Sequence, residues 1–274
     1  TAEQCPYQAS ANAPNQDREM TEFATETIVM LCLGALIVSL LHIALTKIRK
    51  DLPQQSVPVD QKPFFGKNPW IWVFMAISAL LCVGGLLFAV EPASDADPGQ
   101  KIVLILLILA FCLGTGCVEE GVFRGLLFAF PSVLLKKKFA NKQYPPQTER
   151  KMLISLVMVS SLLFALCHVE FEALFLGGMF TLQTILKGAE AFLFGVVMCT
   201  IYVSTKSLWK NALIHAVYDL VALAPAMFVA GGQIATYVYD SSMYMMMLGI
   251  ALVALILAAY MAGRAAKQSR RDTL

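Results

Sequence analysis

Residues 116–125 read GCVEEGVFRG, and they lie inside a run, Ile102 to Leu135, that is otherwise apolar. Ionisable side chains at membrane depth lose their hydration, so they usually line a polar cavity or a pathway. On a helix, Glu120 and Arg124 are four residues apart and face each other, which favours an internal ion pair. Glu119 points about 100° away from Glu120, so this pairing leaves one carboxylate available for chemistry. A purely structural role for both glutamates is the alternative.

The composition of the whole chain indicates a membrane protein. Hydrophobic residues make up 58% and charged residues 15% of the 274 positions, and the mean hydropathy is +0.66. Apolar runs of about 20 residues recur, each long enough to cross a bilayer core of about 30 Å. We therefore predict an all-α fold, a polytopic integral membrane helical bundle of about seven or eight transmembrane helices. No soluble catalytic domain is left over, and we expect the lipid bilayer, not nucleic acid, as the surrounding partner.

The chain is predicted to divide into four regions. Residues 1–24 are polar and are expected to form a disordered tail, without the basic segment that opens a signal peptide. Residues 25–100 are a two-helix membrane region and residues 101–230 are the membrane core. Residues 231–274 contain the last transmembrane helix and a basic tail.

Two of the apolar runs are too long for a single crossing. For the third run we predict a span over Ile102–Phe123, followed by an interfacial continuation over Gly125–Leu135 that is broken at Pro131. For the next run we predict a crossing near Ser160–Phe180, and a half-inserted segment around Phe175–Leu186 is the source of an eighth span. The remaining spans are expected at Thr25–Thr46, 70–90, Ala189–Ser204, Trp209–Val229 and Met243–Met261.

The placement of charge predicts the orientation of the chain. Basic residues follow the first span and the third run and fill the C-terminal tail, whereas the loop over residues 91–100 is acidic. By the positive-inside rule, the N-terminus lies outside and the C-terminus is cytoplasmic, in the plasma (inner) membrane. This orientation places Glu119 and Glu120 in the cytoplasmic third of the bilayer.

Two later spans carry polar pairs at a similar depth. Phe164 and His168 are four residues apart on one helix face, so the ring can support the imidazole. His215 and Asp219 have the same spacing, so both side chains enter one cavity. A histidine on an apolar face is more often a satisfied core residue. Ionisable groups from three spans at one depth, however, must converge away from lipid.

This set of residue types favours hydrolysis by activated water. A free carboxylate beside a histidine can act as general base, and a second histidine oriented by an acid can hydrogen-bond a developing oxyanion. No serine or cysteine nucleophile is placed for an acyl-enzyme, because Cys167 adjoins His168 in sequence but points to another face. The seven cysteines form no metal-ligand pattern, and we expect no disulfide framework.

Taken together, the motifs resemble those of a known family. Glu119 to Arg124 fits EExxxR, Phe164 to His168 fits FxxxH, and His215 to Asp219 fits HxxxN/D. In this order, over residues 102–229, they are similar to the CPBP family of CAAX proteases and bacteriocin-processing enzymes, which includes type II CAAX prenyl endopeptidases. The Phe-Arg-Gly sequence at residues 123–125 is more similar to bacterial members.

The resemblance implies an intramembrane glutamate-type endopeptidase with an all-helical core and a cavity open to the cytosol. It implies that Glu119 activates water with His168 as its partner, and that His215 and Asp219 stabilise the oxyanion. The implied catalytic residues are thus Glu119, His168, His215 and Asp219, and the supporting residues are Glu120, Arg124 and Phe164.

Cofactor and substrate follow from the same resemblance. No metal is expected, because HExxH is absent; the alternative is a zinc ion bound by Glu119, His168 and His215. The expected substrate is a peptide or membrane protein, cleaved near the cytoplasmic face. Two other functions stay open: a non-catalytic membrane scaffold or bacteriocin-immunity protein of the same fold, and a proton-coupled carrier, which the lack of internal repeats disfavours.

Overall fold

The structure is a computed structural model that describes residues 13–50, 98–139 and 146–224, with a few isolated positions elsewhere. These ranges are helical and contain no strand. The elements are α1 (Ala13–Lys50), α2 (Pro98–Glu119), a π-helical segment (Glu120–Ala129), α3 (Phe130–Phe139), α4 (Pro146–Leu166), a 3-10 turn (Glu172–Phe175), α5 (Gly178–Thr205) and α6 (Leu208–Ala222).

The described helices confirm the all-α membrane fold. Three helical stretches are long and apolar enough to cross a membrane, over residues 20–50, 98–138 and 178–205, and a shorter apolar helix covers residues 151–166. The predicted spans at residues 70–90 and 243–261, the acidic loop over residues 91–97 and the basic C-terminal tail lie outside the described residues.

Helices α1 and α2 pack side by side and run in parallel. The rings of Phe23 on α1 and Phe111 on α2 have centroids 5.5 Å apart. Farther along, a Cβ atom added to Gly34 would lie 2.8 Å from the carbonyl oxygen of Gly114. The two backbones therefore approach as closely as small residues allow, as in many membrane helix pairs.

The polar N-terminal segment is helical from Ala13 onward. The prediction of a disordered tail over residues 1–24 is therefore wrong for residues 13–24, whereas residues 1–12 lie outside the described ranges. Phe23 is 4% exposed and packs with Leu104, Ile108 and Cys112 of α2. This contact with a neighbouring helix stabilises a helical turn that the local polar sequence does not predict.

The predicted break at Pro131 is also wrong. Helical structure continues from Pro98 to Phe139, and the irregular part is the π-helical segment that precedes the proline. The backbone N–H of Phe130 donates to the carbonyl of Gly125, five residues earlier. Pro131 thus lies in the first turn of α3, where a missing N–H is tolerated.

The continuous crossing predicted over residues 160–180 does not occur. Helix α4 ends at Leu166, and α5 begins at Gly178 instead of Ala189. Gly177 and Gly178 have φ angles of 76° and 56°, in the left-handed region that glycine adopts readily. The chain reverses its direction between α4 and α5. His168 lies at the start of this connection and the glycine pair lies at its end.

Contacts at the basic end tie α1 to the connection between α5 and α6. Arg49 donates a hydrogen bond of 3.1 Å to the carbonyl of Lys206, and it also donates to the hydroxyl of Tyr202. The basic ends of α1 and α3 and the start of α6 therefore lie on the same side of the bundle.

Candidate active site

A close contact between α2 and α6 places the central histidine. A Cβ atom added to Gly116 would lie 2.7 Å from the carbonyl oxygen of Ala212, so the two backbones nearly touch at this level. The same Cβ atom would lie 3.0 Å from the backbone nitrogen of Ala216, the residue after His215, and Glu119 and Glu120 follow Gly116 by one turn on α2. The glycine contact therefore brings the imidazole between both glutamates.

One imidazole lies among three carboxylates. Nδ1 of His215 is 2.7 Å from Oε1 of Glu120, while Nε2 is 3.4 Å from Oε2 of Glu119 and 3.5 Å from Oδ2 of Asp219. Because an ionised carboxylate can only accept, Nδ1 carries the proton in the short contact with Glu120. The Nε2 edge of the ring therefore faces Glu119 and Asp219.

Glu120 is fully buried and has three polar partners. Arg124 forms the predicted ion pair, with Nη1 3.1 Å from Oε1. Asn211 donates from Nδ2 to Oε2 at 3.1 Å and to the carbonyl of Met198 at 2.8 Å. The prediction that Glu120 only holds its helix is incomplete, because its closest contact is with His215. The acid that orients His215 is therefore Glu120, whereas Asp219 lies at the other nitrogen.

Glu119 differs from its neighbour in both exposure and bonding. Its side chain is 23% exposed, and its Oε2 atom is buried without a hydrogen-bond partner within the described ranges. The sequence predicted that one of the two carboxylates stays available, and this geometry agrees with that prediction. Glu119 therefore has an acceptor oxygen directed at the Nε2 side of His215.

Two phenylalanine rings pack between the histidines and the buried Arg124. The Phe164 ring lies 4.4 Å from the His168 ring and 4.5 Å from the Arg124 guanidinium carbon, so Phe164 contacts the imidazole that it was predicted to support. Nδ1 of His168 donates to the Phe164 carbonyl at 2.8 Å. Phe194 packs against the His215 ring, with centroids 4.7 Å apart.

Four polar residues of the site were missed by sequence reasoning. Nζ of Lys187 is 2.8 Å from Oε2 of Glu190, and the Tyr218 hydroxyl donates to Oε1 of the same carboxylate. A charged pair three residues apart in an apolar run is a signal that could have indicated this cluster. Asn211 lies one turn before His215 on α6 and is the fourth of these residues.

The side chains do not fit the alternative zinc site. Glu119, His168 and His215 would have to converge on one point, and within the described residues no three His, Cys, Asp or Glu side chains do so.

The match to a protein family covers this whole arrangement. Residues 101–221 match the family model described as Type II CAAX prenyl endopeptidase Rce1-like. The matched segment runs from α2 into α6 and includes all three motifs. A search of the curated proteins and a search of the solved structures found no match. Residues 101–221, somewhat less than half of the chain, are therefore similar to the Rce1-like type II CAAX prenyl endopeptidases, and this similarity supports the CPBP/CAAX protease family.

Proposed function

We propose that this protein is an intramembrane endopeptidase that hydrolyses a peptide bond with water activated by Glu119. The family match supports a CAAX-type intramembrane protease. The observation that carries the finer proposal is the buried Oε2 atom of Glu119. It has no hydrogen-bond partner within the described helices and lies 3.4 Å from Nε2 of His215. Such an oxygen is suited to accept a proton from a water molecule held beside a histidine.

The reaction divides into two steps. In the first, Glu119 takes a proton from water while the water oxygen bonds to the carbonyl carbon of the scissile amide. His215, protonated on both ring nitrogens and held by Glu120 at Nδ1, donates from Nε2 to the oxyanion that forms, and Asp219 beside Nε2 stabilises the imidazolium. In the second, the C–N bond breaks and the proton on Glu119, which is shared with His168, passes to the leaving nitrogen. The products are a carboxylate and an amine.

We propose that this reaction needs no metal ion. The lack of a three-ligand group in the described helices supports this. Chelators should leave the cleavage rate unchanged. Loss of activity on chelation, restored by added zinc, would replace this mechanism with a metal-dependent one.

We propose that the site opens toward the cytoplasmic face of the membrane. His215 lies seven residues after Leu208, the start of α6, which corresponds to a depth of about 10 Å along the helix. The basic ends of α1 and α3 lie on this side, which the positive-inside rule assigns to the cytoplasm. A reporter fused after Leu274 should read cytoplasmic and one at Ala96 external. A cytoplasmic reading at Ala96 would contradict the orientation.

The test of the reaction uses purified protein in proteoliposomes and a quenched fluorescent peptide that ends in a prenylated Cys-a-a-X sequence. Wild type is compared with Glu119→Gln and with a matched control, Glu172→Gln. Glu172 is an exposed carboxylate in the 3-10 turn, outside the polar cluster. We expect wild type and Glu172→Gln to cleave at similar rates, and Glu119→Gln to be folded but inactive.

Further arms of the same experiment separate the alternatives. An unprenylated peptide tests whether the lipid is required, and covalent inhibitors of serine and cysteine enzymes should have no effect. Equal cleavage by wild type and Glu119→Gln would contradict the mechanism. If neither cleaves and cells carrying Glu119→Gln behave as wild type, a scaffold function is supported instead.

A further inference from the structure

A second buried polar cluster lies beside the site, on α5 and α6. Glu190 is only 3% exposed. One of its oxygens is 2.8 Å from Nζ of Lys187, and the other accepts a hydrogen bond from the Tyr218 hydroxyl. None of these residues belongs to the three motifs, and the reaction steps above do not use them. A buried carboxylate is costly unless both of its oxygens have partners. Both oxygens of Glu190 meet this requirement.

The tyrosine of this cluster is built into the helix face that carries the oxyanion pair. Tyr218 immediately precedes Asp219 and lies three residues after His215 on α6. Its ring packs against Phe194, with centroids 4.6 Å apart, and Phe194 in turn packs against the ring of His215 at 4.7 Å. The bond from Tyr218 to Glu190 therefore holds this face of α6 against α5.

The lysine of the cluster lies on the side of the other histidine. A Cβ atom added to Gly188 would lie 3.0 Å from Cγ2 of Val169, so the first part of α5 packs on the turn that contains His168. Glu190 thus links α5, which packs beside His168, to α6, which carries His215.

We propose that Glu190 is a positioning residue for the reaction. Through Tyr218 it fixes His215 and Asp219 relative to Glu119 and His168. The inference rests on the proposed function and adds α5 to a site whose motifs lie on α2, α4 and α6. Glu190 acts through Tyr218 and does not touch the reacting atoms.

The first test removes one hydroxyl group. Tyr218→Phe keeps the ring and deletes the bond to Glu190. Tyr202→Phe is the matched control, because Tyr202 is also buried with its hydroxyl bonded to a charged side chain, Arg49, at the basic end. We expect kcat for Tyr218→Phe to fall by about tenfold or more, with KM unchanged within about twofold. Tyr202→Phe should keep the wild-type kcat.

A double-mutant cycle shows whether Tyr218 and Glu190 act as one unit. Glu190→Gln should lower kcat as Tyr218→Phe does, and the double variant should be no slower than the slower single variant. Additive losses would overturn the proposal, as would a wild-type kcat for Tyr218→Phe. Equal losses in Tyr218→Phe and Tyr202→Phe that follow the folded fraction would also overturn it, since the role would then be structural.

Hydrogen exchange of the full-length protein gives a readout that does not depend on catalysis. Backbone amides over residues 215–222 should exchange at least about fivefold faster in Tyr218→Phe than in wild type, and unchanged in Tyr202→Phe. Unchanged exchange in Tyr218→Phe would overturn the positioning role. A wild-type protein that cleaves no faster than Glu119→Gln would contradict the proposed function, and the exchange result would still decide the inference.

Discussion

The helix that runs from α2 into the π-helical segment has two buried faces of opposite character. The face toward α1 is apolar, and a Cβ atom added to Gly34 would lie 2.7 Å from that of Cys117, whereas one added to Gly121 would lie 2.6 Å from the Ile37 side chain. The face toward α4 and α6 carries Glu120 and Arg124, which are fully buried. Two faces of one helix thus hold a tight apolar contact and a network of charges.

The difference shows how a site with an incompletely bonded carboxylate is kept in place. Dispersion and close backbone approach stabilise the apolar face without any polar group to satisfy. On the other face every buried charge needs partners, and Oε2 of Glu119 has no hydrogen-bond partner in the described part of the chain, although it lies 3.4 Å from Nε2 of His215. The rigid apolar contact fixes the backbone, so the polar face can keep a group ready for chemistry.

The largest effect on folding is expected when the charged face loses its cation. Arg124→Ala leaves Glu120 buried without its ion pair, which should destabilise the protein by about 3–5 kcal/mol. The amount of folded protein in membranes, measured by size-exclusion chromatography and thermal melting, should fall sharply. Arg49→Ala, at the basic end, is the control. Equal amounts of folded Arg124→Ala and wild type would refute the importance of the pair.

The next largest effect is expected for a substitution that lowers the cleavage rate and leaves the protein folded. His215→Ala removes the proposed oxyanion donor, so cleavage should slow by about 10²–10³-fold, with the elution profile of wild type. The measurement is kcat in proteoliposomes together with the melting temperature. If the variant instead unfolds, the imidazole between Glu119 and Glu120 serves mainly to stabilise the bundle.

On the apolar face, the stability of the protein should depend on side-chain size. Gly34→Leu introduces a side chain where a Cβ atom already lies within 2.8 Å of the Gly114 carbonyl, and overpacking of this kind costs about 1–3 kcal/mol. Leu33→Phe is the matched control, because Leu33 is 46% exposed on the same helix. A melting temperature for Gly34→Leu equal to that of the control would contradict the close contact.

The smallest effect is expected at the edge of the polar face. The Ser160 hydroxyl donates to the carbonyl of Phe123 at 2.7 Å and ties α4 to the π-helical segment. Ser160→Ala should lower the stability by about 1 kcal/mol. Ser155→Ala, whose exposed hydroxyl bonds to Lys151 in its own helix, should have no measurable effect. Identical melting temperatures of both variants would show that this link does not contribute.

Local spacing was sufficient to predict the ion pair of Glu120 with Arg124, because a helix brings residues four apart together wherever it lies. The contact between the Phe164 and His168 rings was predicted on one helix, whereas α4 ends at Leu166 and His168 lies in the connection that follows. The convergence of Glu119 and His215 was also predicted, because charged groups in a bilayer must turn away from lipid. The Lys187–Glu190 pair carries the same kind of local signal and was overlooked.

The sequence by itself determined the membrane class, the helical fold and the residues that meet at the site. These follow from hydropathy, helical period and the cost of exposing charge to lipid. Only the tertiary structure decided that Glu120 contacts Nδ1 of His215 and that the N-terminal helix extends back to Ala13. It also decided that Glu190 holds Tyr218. These contacts depend on how closely separate helices approach, and that distance is set by residues such as Gly34 and Gly116 on different elements, which no local pattern relates to one another.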